Sequence, residues 1–211
     1  MAEILWKRAG DRAPVLVLAH GSGAPMDTPW METVAGGLVQ RGISVARFEF
    51  AYMAQRRSGG SKRPPPKMPI LEEEYRAVLN DLASEGPVLI GGKSMGGRVA
   101  SLIADDMLDE GQIKGVVCMG YPFHPGGQPD KLRTAHLEGL RTPTLICQGT
   151  RDALGSDAEV AGYRLSPQIR VEWFADGDHD LKPRKRETGL TLDDHLDAAC
   201  QTIADWAKAL S

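Results

Sequence analysis

The sequence predicts a three-layer α/β fold: a mostly parallel sheet of about six or seven strands, helices on both faces, and no cap domain. Three observations predict it. Short apolar runs alternate along the chain with stretches of helical periodicity, the pattern of repeated strand-helix units. Several runs are apolar at every position, as in strands covered on both faces. Gly and Pro cluster where the runs end, as connections between elements require.

The elements follow in order. Residues 3–7 form a candidate leading strand, and 14–19 is a continuous apolar run ending at His20-Gly21-Ser22-Gly23. Thr28-Pro29 supplies a helix cap and a first-turn proline, after which Trp30, Met31, Val34, Ala35 and Leu38 share one helical face. Gly42 releases the chain into a strand at 43–50. Residues 51–69 carry Arg56, Arg57, Lys62, Arg63 and Lys67 among Gly59-Gly60 and Pro64-Pro65-Pro66, so a long basic loop with neither helix nor strand is expected there. Leu71, Tyr75, Val78, Leu79 and Leu82 return to helical spacing, and 87–91 reads as the next strand. Val99, Leu102, Ile103 and Met107 mark another helix, followed by strands at 115–120 and 142–148, a short helix at 157–164 and a last strand at 169–174. Leu192, Leu196, Ala199, Ile203, Trp206 and Leu210 form the closing helix.

A chain of 211 residues with 42% hydrophobic content can bury one sizeable core, so a single domain over 1–211 is expected. The formal charge of -3 exerts no general pull on nucleic acid or anionic membrane. Residues 1–11 lack a signal-peptide pattern and no run approaches the roughly 18 apolar residues of a membrane span, so a cytoplasmic protein without a membrane partner is expected. The three cysteines lie in apolar runs and read as buried reduced thiols.

The chemistry centres on Gly92-Lys93-Ser94-Met95-Gly96, which fits G-x-S-x-G. In that motif a strained strand-to-helix turn projects a serine oxygen above the end of a sheet, and side chains two residues before and after it would collide. Gly92-Lys93-Ser94 also ends like a phosphate-binding loop, but that motif needs glycine at position 87, which is Pro87, and a flexible loop where Val88-Leu89-Ile90 stands. A serine hydroxyl needs a base within hydrogen-bond reach and a third group to orient the base. In hydrolases built on this turn the order is serine, acid, histidine, each on a loop after a strand. Asp152 and His179 satisfy that order, with Asp157, Asp176 and Asp178 as alternative acids. His20, His124, His136 and His195 fit the base role less well by position. The developing oxyanion calls for two backbone N–H donors, assigned to Met95 and to Ser22, with Gly23 the neighbour to consider. The five histidines and three cysteines show no metal-ligand spacing, so no cofactor and no metal are expected.

With these residues on the page, the chain resembles the α/β-hydrolase superfamily over nearly its whole length. The segments from His20 to Met26, Arg47 to Phe50 with Arg63-Pro64-Pro65, Gly91 to Arg98, Gly120 to Pro125, and Gly177-Asp178-His179 look like a small lidless subgroup distantly similar to dienelactone hydrolases. That subgroup includes testis-expressed and histone-acetyltransferase-complex relatives. The resemblance implies an α/β-hydrolase fold and acyl transfer to water through an acyl-serine. The nucleophile of dienelactone hydrolases is cysteine and here it is Ser94, so their substrate is not carried over. The expected partner is a small-molecule acyl substrate, an ester or thioester.

Basic residues follow two strand ends, at 56–67 and at Lys182, Arg184, Lys185 and Arg186, which predicts an electropositive rim favouring anionic substrates. Arg56, Arg57, His124, Lys182 and Gly23 are the candidate substrate-binding residues. Pairing of these charges with Glu72, Glu73, Glu74 or Glu187 is the competing expectation. Two other functions stand beside the hydrolase: an interaction module that keeps the fold without turnover, and a serine peptidase, which the lack of room for a gating domain disfavours.

Overall fold

The computed structural model describes residues 2–86 and 88–210. Pro87, expected to open the strand before Ser94 and used above against a phosphate loop, lies outside the described residues, as do Met1 and Ser211.

Seven strands form one sheet in the order β1-β3-β2-β4-β5-β6-β7. They are β1 (Ile4–Lys7), β2 (Val15–Ala19), β3 (Ser44–Phe48), β4 (Val88–Lys93), β5 (Ile113–Met119), β6 (Thr144–Gly149) and β7 (Ile169–Phe174). Only β1 runs antiparallel, against β3, and every other pairing is parallel. β2, β3 and β4 are buried at every position; β2 is apolar throughout, while β3 buries Ser44 and Arg47 and β4 ends on buried Lys93.

The helices are α1 (Pro29–Gln40), α2 (Ala51–Arg57), α3 (Met68–Asp81), α4 (Met95–Asp109), α5 (Asp157–Val160), α6 (Lys185–Thr188) and α7 (Leu192–Ala209). Each face of the sheet has its own apolar cluster. Met31, Val34 and Leu38 of α1 pack with Leu196, Cys200 and Ile203 of α7 on one face. Leu71 and Tyr75 of α3 pack with Val99 and Ile103 of α4 on the other. Tyr75 also stitches the sheet, since its buried hydroxyl donates to the Val17 carbonyl at 2.7 Å and accepts from the Gly91 N–H at 3.0 Å. Cys118, Cys147 and Cys200 are buried free thiols.

Two short helices depart from expectation: α6, where no element was expected, and α2. Residues 51–69 were expected to contain no helix, yet Ala51–Arg57 is helical and buries Tyr52 and Met53. The breakers in that segment begin only at Gly59, which takes a positive φ of 90° and ends the helix, while 51–57 contains neither Gly nor Pro. The chain between β5 and β6 carries only a single turn of tighter helix, Ala135–Leu137. That connection packs Tyr121, Phe123, Leu137 and Leu140 into the core, and the described residues form no separate cap domain.

The strand order places the reversal of direction between β2 and β4, since the chain leaves β2 for β3 on one side and continues from β4 on the other. Ligand crevices in open parallel sheets form outside the carboxyl ends of the strands at such a point. Among the described residues no helix is long and apolar enough to cross a membrane.

Candidate active site

Ser94 stands between β4 and α4 with φ 51° and ψ -112°. For a residue with a Cβ that is a strained backbone, held because its neighbours allow nothing else. A Cβ on Gly92 would lie 2.7 Å from the Ala19 carbonyl oxygen, and one on Gly96 would lie 2.7 Å from both the Ala19 and His20 carbonyl oxygens. The two glycines therefore let the turn nestle against the end of β2.

The structure brings Ser94, His179 and Asp152 together from the ends of β4, β7 and β6. Ser94 Oγ and His179 Nε2 are 2.8 Å apart, and His179 Nδ1 lies 2.8 Å from Asp152 Oδ2. Asp152 is buried, and its other partners are donors: the Leu154 N–H to Oδ1 at 2.8 Å and Gln148 Nε2 to Oδ2 at 2.8 Å. A carboxylate so surrounded accepts from His179 Nδ1–H, which leaves Nε2 as the acceptor for the serine proton. The alternative acids are engaged elsewhere: Asp176 pairs with Arg184 and Arg151, Asp178 accepts from the Asp180 and Lys182 N–H groups, and Asp157 opens α5.

Gln148 was not singled out in the sequence beyond ending a strand. Its side-chain oxygen accepts from the Tyr121 N–H at 2.7 Å, while its amide nitrogen donates to Asp152 Oδ2 and to the Gly155 carbonyl at 3.1 Å. Lys93 meets His179 from the other side. Its Nζ donates to the His179 carbonyl at 2.6 Å, pairs with Asp180 at 3.1 Å and lies 5.6 Å from the centre of the Trp30 ring. Burial pushes the Lys93 amine below its ordinary pKa, and Asp180 opposes that shift.

The loop after β2 is anchored by His20. The Phe50 N–H donates to His20 Nε2 at 3.2 Å, so Nδ1 carries the proton and donates to the Gly21 carbonyl at 2.6 Å. Burial lowers the His20 pKa and keeps the ring in this neutral form. In a planar trans peptide the Ser22 N–H points opposite the Gly21 carbonyl, away from buried His20. Tyr52 Oη donates to the Ser22 carbonyl at 3.0 Å and lies 4.0 Å from Met95 Sδ, touching both residues assigned to the oxyanion. Met95 opens α4, where the first N–H groups have no intrahelical acceptor and the helix dipole favours negative charge.

A cleft of about 310 Å³ joins these parts, lined by Gly21, Ser22, Gly23, Trp30, Lys93, Ser94 and His179 among others. A larger groove of about 690 Å³, walled by Phe48, Glu49, Arg57 and Glu74, contains neither Ser94 nor His179. Arg56, Arg57, His124 and Lys182 do not line the cleft. Arg57 pairs with Asp27 and Glu49 rather than with the glutamates expected, and the Arg56 guanidinium stacks over the Tyr52 ring. His124 is buried with Nδ1 on the Pro125 carbonyl, and the Lys182 side chain is exposed. Among the described residues no group of three His, Cys, Asp or Glu side chains could hold a metal.

Known proteins share this architecture. A dienelactone hydrolase from Anabaena variabilis superposes with a TM-score of 0.71 at 19% identity, covering 97% of this chain and 90% of that one. A serine hydrolase without a lid from Xanthomonas campestris does so with a TM-score of 0.68 at 18% identity, covering 95% and 87%. A monoacylglycerol lipase from Paleococcus ferrophilus reaches 0.71 at 14% identity and covers 100% of both chains. At the level of sequence, the family model described as an alpha/beta hydrolase domain spans residues 12–208, and with the sheet order and the turn at Ser94 this makes the chain a member of the alpha/beta hydrolase family.

Proposed function

We propose that the chain is a serine hydrolase that cleaves a small carboxylic ester or thioester through an acyl-Ser94 intermediate. The observation that carries the proposal is the continuous 2.8 Å relay from Ser94 Oγ through His179 to Asp152, set on a positive-φ turn that lines a cleft. His179 Nε2 takes the serine proton as Oγ attacks the acyl carbon, and the tetrahedral oxyanion falls toward the Met95 and Ser22 N–H groups. One such donor is worth about 3 kcal/mol of transition-state stabilisation. His179 then protonates the leaving oxygen or sulfur, the acyl-serine forms, and a water activated by the same imidazole returns the acid and free Ser94. Esterases and a lipase among the structural relatives support the ester chemistry.

A fluorophosphonate probe tests the reading. Wild type is expected to be labelled at Ser94, and Ser94→Ala and His179→Ala to lose at least about a thousandfold in turnover of a short-chain aryl ester. A folded wild type that is neither labelled nor active would overturn the hydrolase and leave a binding module.

A further inference from the structure

Side chains from three separate elements hold the loop that carries His179. His179, Asp180 and Leu181 follow one another, and each of their carbonyls receives one donor. Lys93 Nζ, at the end of β4, donates to the His179 carbonyl at 2.6 Å. Trp30 Nε1, in the first turn of α1, donates to the Asp180 carbonyl at 3.0 Å. His195 Nδ1, near the start of α7, lies 2.7 Å from the Leu181 carbonyl. Leu181 takes a positive φ of 65°, a strained backbone that persists where the surroundings dictate it.

Lys93 differs from the other two donors because it grips the peptide of His179 itself and directly precedes Ser94. The backbone from Lys93 to Ser94, the 2.8 Å contact from Ser94 Oγ to His179 Nε2 and the 2.6 Å bond from Lys93 Nζ to the His179 carbonyl close a ring. One side chain therefore ties the main chain of the serine to that of the imidazole. Bonds from a charged donor of this kind are among the stronger ones in a protein.

The surroundings keep the ammonium at that spot. The Lys93 side chain is 10% exposed, and Nζ pairs with Asp180 Oδ1 at 3.1 Å. A Cβ on Gly120 would lie 2.5 Å from the His179 carbonyl oxygen, 3.0 Å from Lys93 Nζ and 3.4 Å from His179 Cε1, so the end of β5 packs against all three. Two of the three N–H donors of Lys93 are engaged by the loop and Asp180 balances its charge, an arrangement made to hold His179 rather than to attract an anion. The groups that face the imidazole are Asp152 on Nδ1, Ser94 on Nε2, and the Lys93 ammonium, paired with Asp180, on the side of Gly120. Asp178 turns back into its own loop, accepting from the Asp180 and Lys182 N–H groups.

We propose that Lys93 is a positioning residue, which holds the His179 carbonyl and so keeps the imidazole within reach of both Ser94 and Asp152. The proposal rests on the hydrolase reading of Ser94 and deepens it by a residue that acts through His179. A neighbouring cation also opposes formation of the imidazolium, and Asp180 offsets that effect.

Two variants test it, with active sites counted by fluorophosphonate. Lys93→Met retains an unbranched stem and removes the ammonium. It is expected to lower kcat on a short-chain aryl ester by about tenfold to a hundredfold with KM nearly unchanged, the cost of a displacement of about 1 Å at the reacting groups. The acid limb of its kcat/KM profile is expected to move to higher pH, because the imidazolium loses a neighbouring cation and Asp180 loses its partner. Asp180→Asn alters a carboxylate that is 63% exposed, so the fold is kept, and it leaves Lys93 charged and unpaired. Its acid limb is expected to move the opposite way, to lower pH. The same two shifts are expected in the His179 imidazole titration, read without turnover by NMR of histidine-labelled protein with His179→Gln to assign the signal. A limb and a titration that stay at their wild-type positions in both variants overturn the proposal, and so does a Lys93→Met effect confined to KM, which marks a substrate-binding lysine. A folded wild type that resists the probe overturns the hydrolase reading alone. The NMR titration then decides the role of Lys93: opposite shifts support it and unmoved signals overturn it.

Discussion

At the scale of single residues the candidate site is held by neighbours that do not line its cleft, Gln148 first among them. Gln148 is wholly buried, and its amide accounts for one of the two donors to the Asp152 oxygen that faces His179. Gln148→Leu removes that donor and strands the Tyr121 N–H in the interior, so both the aim of the acid and the stability suffer. The expected loss in kcat is about tenfold to a hundredfold with KM nearly unchanged, well short of the ~10⁴ that follows when the acid itself is altered. Steady-state kinetics across pH checks it. A positioning role moves the acid limb of the profile, whereas a purely structural role lowers the amount of folded enzyme and leaves the profile of the survivors in place.

At the scale of elements the turn between β4 and α4 ties the fold to the chemistry. Gly96→Ala places a methyl against the Ala19 and His20 carbonyls, backbone atoms that move only if β2 and β4 part. A loss of at least about 3 kcal/mol and of all detectable activity is expected. Gly23→Ala, where a Cβ meets nothing within 4 Å, is expected to stay within about 0.5 kcal/mol of wild type in a urea melt. The contrast shows what was legible in the sequence. The central strands were readable because apolar residues dominate them, β2 without a break, and the meeting of Ser94, Asp152 and His179 was readable because each follows a strand in that order. Helix α2 was hidden by the glycines and prolines downstream of it. The bonds of Lys93 to His179 and Tyr52 to Ser22 join residues 86 and 30 apart, where no local pattern reports them.

At the scale of the whole molecule, the buried histidines and the paired carboxylates push stability in the same direction with pH. Burial, helped by the Arg98 charge, lowers His136 from 6.5 to about 4, and burial also lowers His20. Between those values the unfolded chain binds protons that the folded one refuses, so stability falls as pH drops from 6.5 toward 4. The hydrogen bonds from Lys7 and Arg47 hold Glu32 low, that from Arg8 holds Glu85 low, and that from Arg57 holds Asp27 low. Their contribution is present above the ordinary carboxylate range and is lost below it, the same sign in a more acidic window. Tm is therefore expected to fall in two stages as pH drops below 6.5. For partly buried His136, solvent screening reduces the share to about 1–2 kcal/mol. In a chain of this size that is about 3–6 °C. His136→Gln should flatten the first stage by that amount and leave the second unchanged. A variant whose Tm falls as steeply as wild type between pH 6.5 and 4 would remove His136 from the account and place the upper stage on His20.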